Sequence, residues 1–255
     1  MERSMRLIAA LCVVSLCAAY SHAAVTIKDR AGDTPLVLDQ ATDYVLNNVS
    51  ISGLQDTAAL TLSGRINSVA ITNSRFGDVR IGANGRAAAM ECAGALVGKF
   101  SADNSSFYDA ENELASFKQG AFGTVTFKNC TFRTSESFLR QMYMNSPWRL
   151  SPPVTEFYNI ERLELLDNTF INTIVIIHPS VKQVILRGDT SGIHVESADT
   201  QVILLNPGQP ADAADPSHST ACAQTNPADT VGTITQFAKS LVNAILPRRT
   251  IVYVG

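Results

Sequence analysis

Apolar residues two positions apart recur along this chain in short runs separated by polar turns. Between Ile160 and Asn206 the pairs Leu163/Leu165, Val184/Leu186 and Val202/Leu204 follow one another at 21 and then 18 residues. A strand with one buried face requires this two-residue alternation. A second pair accompanies each of the first two: Ile174/Ile176 follows Leu165 after the turn Asp167-Asn168-Thr169, and Ile193/Val195 follows Leu186 after Arg187 to Gly192. Two strand positions recurring in step predict a solenoid of stacked coils. With Ile193 and Val195 turned inward, His194 and Glu196 are expected to point outward on one strand.

The same grammar runs through the earlier part of the chain. Val25-Thr26-Ile27, Leu36 to Leu38 and Tyr44 to Ile51 read as short strands, and Leu60/Leu62, Ile66 to Ile71 and Val79/Ile81 repeat the two-pair unit. A polar turn closed by an aromatic recurs as NSRF (Asn73 to Phe76), NSSF (Asn104 to Phe107), NCTF (Asn129 to Phe132) and NTF (Asn168 to Phe170). Asn tolerates left-handed backbone and bonds its own turn, while each Phe can return to the core and stack on its equivalents in neighbouring coils. Residues 86–97, RAAAMECAGALV, fit either a short helix or a strand of small residues, with Val97 midway between Val69 and Val125 at 28 residues from each.

Two stretches break the pattern. The step from Val125 to Leu163 is 38 residues, which predicts a long loop at 134–159 that carries Arg140, Tyr143, Trp148, Arg149 and Tyr158 and is stiffened by prolines. Long loops on rigid scaffolds commonly carry function. After Asn206 the composition turns to Pro, Ala and Asp, predicting an extended connector over 207–230. Val231, Ile234, Phe237, Leu241 and Ile245 then follow near-helical spacing, and Thr250 to Val254 alternates as a strand. Residues 231–255 are expected to form a capping helix and terminal strand that blunt an exposed end of the solenoid, which spans 24–206.

The first 23 residues have Arg3 and Arg6, an apolar run from Leu7 to Ala19 and the small-residue site Ser21-His22-Ala23. They read as a signal peptide cleaved after Ala23, since the run is shorter than the roughly 20 residues a bilayer span needs. The expectation is a secreted, extracellular protein, periplasmic in a bacterial host, with no membrane span after cleavage. The balance of 20 Lys and Arg against 23 Asp and Glu gives a net charge of −3. That balance, with no basic cluster beyond Arg248-Arg249, argues against nucleic acid as a partner. Cys92, Cys130 and Cys222 remain after cleavage. Two readings stay open for them: one disulfide with a thiol left over, or buried unbridged cysteines. No CxxC or His/Cys spacing suggests zinc, and no Gly-rich phosphate loop occurs, so no metal or cofactor is assigned.

Parallel strands at these spacings suit two all-β or repeat architectures. Ile160-xx-Leu163-x-Leu165-xx-Asn168 matches one leucine-rich-repeat core, but the other coils do not keep it and the helical convex-side residues are missing. The second strand pair in each unit instead fits a three-sided coil. From Val25 to Asn206 the strand period and Asn-containing turns resemble the right-handed parallel β-helix of the pectin-lyase-like superfamily. That resemblance implies a check for polysaccharide lyase or glycoside hydrolase chemistry. The Asn-Thr-Asp strand, Asp-Asp pair and Gly-His-Gly turn of its polygalacturonase branch are absent, as is the calcium-binding acidic cluster of its lyase branch. His178, Arg187, His194 and Glu196 form the one residual candidate set, because a His beside a carboxylate can act as a general base.

The functional expectation is therefore a secreted, non-catalytic β-helix that binds an extracellular glycan or surface protein through the 134–159 segment and an adjacent strand face. A polysaccharide-active enzyme with an atypical site and a structural component of an extracellular coat or matrix are the alternatives. Asn48, Asn104 and Asn129 head acceptor sequences for N-glycosylation in a eukaryotic host.

Overall fold

The computed structural model describes residues 23–145, 151–197 and 199–211. The chain winds in coils whose strands run parallel to their equivalents in the coils before and after. Strands β1 (Val25–Lys28), β2 (Ala31–Gly32) and β3 (Leu36–Leu38) begin the winding, followed by β4 (Asp43–Asn47), β5 (Ser50–Ile51) and β6 (Leu54–Gln55). The long strand β7 (Ala58–Thr72) leads to β8 (Arg75–Arg80), β9 (Ala88–Asp103) to β10 (Ser106–Ala110), and β11 (Glu113–Lys128) to β12 (Thr131–Arg133). Helix α1 (Glu136–Asn145) intervenes before β13 (Val154–Phe157), β14 (Ile160–Leu166) and β15 (Thr169–Ile171). Strands β16 (Ile174–Ile177), β17 (Gln183–Arg187), β18 (Ile193–Val195) and β19 (Gln201–Leu204) complete the described coils.

Three faces result. The first stacks β3, the opening limb of β7, β9 and β11, then β13, β16 and β18; the second stacks β1, β4, the closing limb of those long strands, then β14, β17 and β19. Because β7, β9 and β11 bend through both, these two faces are one continuous sheet. The third face is the separate sheet of β2, β5, β6, β8, β10, β12 and β15. The bend falls at left-handed residues such as Gly94 (φ 77°), where a side chain would be strained. Close stacking beyond the bend needs glycine too: a Cβ on Gly123 would meet the Gly98 carbonyl oxygen at 2.4 Å. The protein is thus all-β and solenoid-like. The leucine-rich-repeat alternative fails because each coil has three strand positions, and the one described helix lies in an insertion rather than in each repeat.

The recurring turn joins the second face to the third. Asp29, Asn48, Asn73, Asn104, Asn129 and Asp167 occupy equivalent positions, all with φ between 50° and 56° or just beside it at 49°. Left-handed backbone is costly for L-residues, and Asn and Asp offset it with short side chains that bond locally. Here they bond along the stack: Asn104 Nδ2 donates to Asn73 Oδ1 at 2.7 Å, and Asn48 Nδ2 to Asp29 Oδ1 at 2.7 Å. In the fourth turn Asp167 takes the left-handed place. Asn168 therefore sits one residue on and buried, accepting from Cys130 N at 2.8 Å and donating to Phe127 O at 2.9 Å. That position in the preceding coils holds Ser74 and Ser105, whose hydroxyls accept from Val49 N and Ser74 N. The interior of the turn is a hydrogen-bonded ladder beside a column of Phe rings.

The phenylalanines stack as the repeated turn predicts. Phe76, Phe107, Phe132 and Phe170 lie in register, with successive centroids 5.9, 5.2 and 5.1 Å apart and planes within 22° of parallel. Phe100, Phe117, Phe122, Phe127 and Phe157 fill the middle coils beside them. Residues 86–97 resolve as strand: β9 buries Ala88, Ala89 and Met90, and its small side chains fit between β7 and β11. In β16 the inward residues are Val175 and Ile177, not the Ile174/Ile176 pair read from the sequence. A run of four apolar residues satisfies either phase of a two-residue period, and the register with Phe157 chooses this one.

The 134–159 segment is not one long loop. Ser135 caps α1, its Oγ accepting from Phe138 N at 3.3 Å while its own N donates to Asp109 at 2.6 Å. The helix buries Phe138, Leu139 and Met142, and the Arg80 guanidinium of the third face lies 3.7 Å from the Phe138 ring centroid. Val154 to Phe157 then form a regular first-face strand, so Tyr158 belongs to a coil corner.

After β19 the chain turns at Gly208 (φ 79°) onto the outside of the second face. Leu205 packs with Leu166 and Ile185, Arg187 Nη1 donates to the Gln209 carbonyl, and Arg162 Nη2 donates to the Ala211 carbonyl at 3.3 Å. The expected signal peptide, nearly all of the 207–230 connector and the 231–255 helix and strand lie outside the described residues. No described helix is long and apolar enough to cross a membrane.

Candidate functional site

The polar and aromatic groups concentrate on the outside of the first face and at the corner where it turns into the second. Register places Lys118, Tyr158, His178 and Glu196 one above another across four coils, each just past the end of its first-face segment. Glu156 and His194 lie two residues earlier in their coils, outward, with Ile176 between them. Glu113 opens the β11 limb on the same face.

Tyr158 and His178 stack, ring centroids 4.2 Å apart and planes 24° from parallel. The imidazole is held by Ser180: His178 Nδ1 and Ser180 Oγ are 3.1 Å apart, and that hydroxyl accepts from Asn159 N at 2.8 Å. The serine thus ties the ring of one coil to the backbone of its neighbour. Burial, then the carboxylates of Glu196 and Glu113, push the Tyr158 phenol above its ordinary range, so it is a neutral hydrogen-bond donor at pH 7. Glu196 lies just past the end of β18 rather than on it, its N–H donating to Ile177 O at 2.9 Å, and its side chain is solvent-exposed.

Lys118 bridges two carboxylates. Its Nζ is 2.8 Å from Glu113 Oε1 and 2.5 Å from Glu156 Oε2, the second contact lacking hydrogen-bond geometry. Glu156 is buried, so this ammonium is its main compensation. Arg86 pairs with Glu91 further along the face. Burial pushes the His194 imidazole below its ordinary value, leaving it neutral at pH 7.

The residual set from the sequence is therefore only partly assembled. His178, His194 and Glu196 come together at this corner. Arg187 does not: it lies on the second face, bonded to Asp167 Oδ2 at 2.6 and 2.9 Å and to the connector carbonyl. The candidates of the 134–159 segment are dispersed as well. Arg140 is exposed on α1, beside the third face. Tyr143 is half-buried, its hydroxyl without a hydrogen-bond partner among the described residues, and burial pushes its phenol up. Tyr158 joins the His178 corner, while Trp148 and Arg149 lie outside the described residues. Lys118, Glu113 and Glu156 were missed in the sequence because they lie one to three coils before His178 and Glu196 and in no motif; the signal that finds them is strand register.

Cys92 and Cys130 are buried and unbridged, and Cys222 lies outside the described residues. Burial raises both thiols, that of Cys130 to about 11, so neither is a thiolate nucleophile at neutral pH. Among the described residues no group of three His, Cys, Asp or Glu side chains is placed to hold a metal ion. Asn48, Asn104 and Asn129 are solvent-exposed at the turn ladder, and Asn129 Nδ2 donates to Asp103 Oδ1 at 3.3 Å. No family model, no curated protein and no solved structure matches the chain.

Proposed function

We propose that this is a secreted, non-catalytic β-helix of the pectin-lyase-like type that binds an extracellular glycan at the corner between its first and second faces. The single observation that carries this reading is the stacked Tyr158–His178 pair, in a column with Lys118 and Glu196 that steps one coil at a time. Coils repeat at about 4.8 Å, so the column offers regularly spaced donors, acceptors and ring edges to an extended chain. Rings with a polar tip suit sugars, which present both C–H faces and hydroxyls. Rigid strands hold all of these groups, so little ordering is needed on binding.

Charge narrows the ligand. Glu113, Glu156 and Glu196 outnumber Lys118 here, and His194 is neutral, so the corner favours neutral or amino-sugar glycans over polyanions. That same balance weakens a lyase acting on acidic polysaccharides. The neutral His194, outward two residues before Glu196 and one strand removed from Glu156, is what favours the second reading, a glycosidase-type enzyme with an atypical site. The paired carboxyl groups that such hydrolysis uses are here engaged by Lys118 or lie past the strand end.

A glycan array probed with wild type and with Tyr158→Ala/His178→Ala tests the binding reading. Selective binding of neutral or amino-sugar glycans, weakened at least tenfold in the double variant, is expected. An unchanged profile removes the corner, and Trp148→Ala/Arg149→Ala then tests the insertion in its place. Release of reducing ends from a bound glycan would replace binding by catalysis.

A further inference from the structure

Among the described residues, nothing covers the C-terminal end of the solenoid. Leu204 is 54% exposed although its register partners Leu186 and Leu165, in the coils before it, are 4% and 2% exposed. Phe170 ends the Phe stack half-buried, and Ile193, Val195 and Val202 are half-buried at the margin of the core. Strands β18 and β19 have no following strand among the described residues, so their outer edges present unpaired backbone groups. An apolar cross-section with two free strand edges needs a cover.

We infer that the cover is this chain's own segment 231–255, laid across the C-terminal end rather than along a side or over the N-terminal coil. Length permits it: residues 212–230 can span about 60 Å, ample for a return from Ala211. Apolar pattern then chooses the surface. Val231, Ile234, Phe237, Leu241 and Ile245 need an apolar partner. On the outside of the second face the apolar Leu166 and Ile185 are already covered by Leu205, and its upper coils offer Ser68, Thr72, Ser101, Thr124 and Thr126, whereas the C-terminal end offers Phe170, Val195, Val202 and Leu204. Charge agrees. From Gly188 to Ala211 the chain has Asp189, Glu196 and Asp199 and no Lys or Arg, while 231–255 has Lys239, Arg248 and Arg249 and no Asp or Glu. Each segment supplies what the other lacks.

The test is zero-length carbodiimide coupling of amines to carboxylates on the full mature chain, followed by digestion and mass spectrometry of the monomer fraction. Lys239 is the one lysine beyond residue 182, so its links report the segment's position. Coupling of Lys239 to Asp189, Glu196 or Asp199 within one chain is expected. Coupling to Asp33 or Asp39 of the N-terminal coil, links only between copies, or no Lys239 link would overturn the placement. In the full chain with Phe237→Asp/Leu241→Asp, amide exchange at Gln201 to Leu204 should accelerate at least tenfold while Ala88 to Asp103 is unchanged. Equal exchange in both chains would also overturn it.

Discussion

Phe107 and Phe132 stack one coil apart with ring centroids 5.2 Å from each other and planes 16° from parallel, both fully buried. They sit at the centre of the column that begins at Phe76 and ends at Phe170, and each touches the Phe127 ring as well. Phe107→Ala should therefore cost about 3–5 kcal/mol. Phe170→Ala should cost less, because among the described residues Phe170 stacks on one ring only and is half-buried. Urea unfolding followed by far-UV circular dichroism compares the two, and equal losses would contradict that order.

The turn ladder makes a separate prediction about backbone. Asn104 has φ 49° and bonds to Asn73. Asn104→Val places a β-branched residue in left-handed backbone and deletes that bond, an expected loss of about 2 kcal/mol. Asn104→Gly keeps the conformation accessible and should lose less than about 1 kcal/mol. Chemical denaturation of both variants checks the order.

Lys118 is expected to matter for stability as well as for charge at the corner. Lys118→Met leaves the buried Glu156 carboxylate without its ammonium, which should cost about 1–3 kcal/mol at neutral pH. Lys118→Met/Glu156→Gln should recover part of the loss, since the uncompensated charge is gone. A double-mutant cycle on unfolding free energies measures the coupling; simple additivity would mean that solvent already screens the pair.

His194 gives the protein a pH response. Burial lowers its folded-state value below the ordinary one near 6.5. In the window between the two values the unfolded chain binds more protons, so stability is full above about pH 6.5 and falls as the pH drops towards the folded value. A lower Tm at pH 5.5 than at pH 7.5 is expected, with a smaller difference in His194→Gln. Differential scanning calorimetry at the two pH values reads it.

Much of the architecture was legible in local pattern. The two-residue alternation of Leu163/Leu165 and Val184/Leu186 and the repeated Asn-to-Phe turns specify stacked strands, because each coil buries one face and each turn needs a residue tolerant of left-handed backbone. The candidate site was far less legible. Tyr158 read as part of a loop because the helix-forming insertion after Thr134 hid the strand Val154 to Phe157, and Lys118 carried no motif at all.

Sequence alone therefore determined the repeating unit: parallel coils, the turn chemistry, the Phe column and the outward direction of His194, all set by interactions within a coil or between identical positions. Tertiary structure decided what depends on register between distant segments. It chose Val175 and Ile177 over Ile174 and Ile176 for the core, left Cys92 and Cys130 unbridged, separated Arg187 from His194, and brought Lys118, Tyr158, His178 and Glu196 into one column. A period of two fixes alternation but not phase or neighbour, and only the stacking of whole coils supplies those.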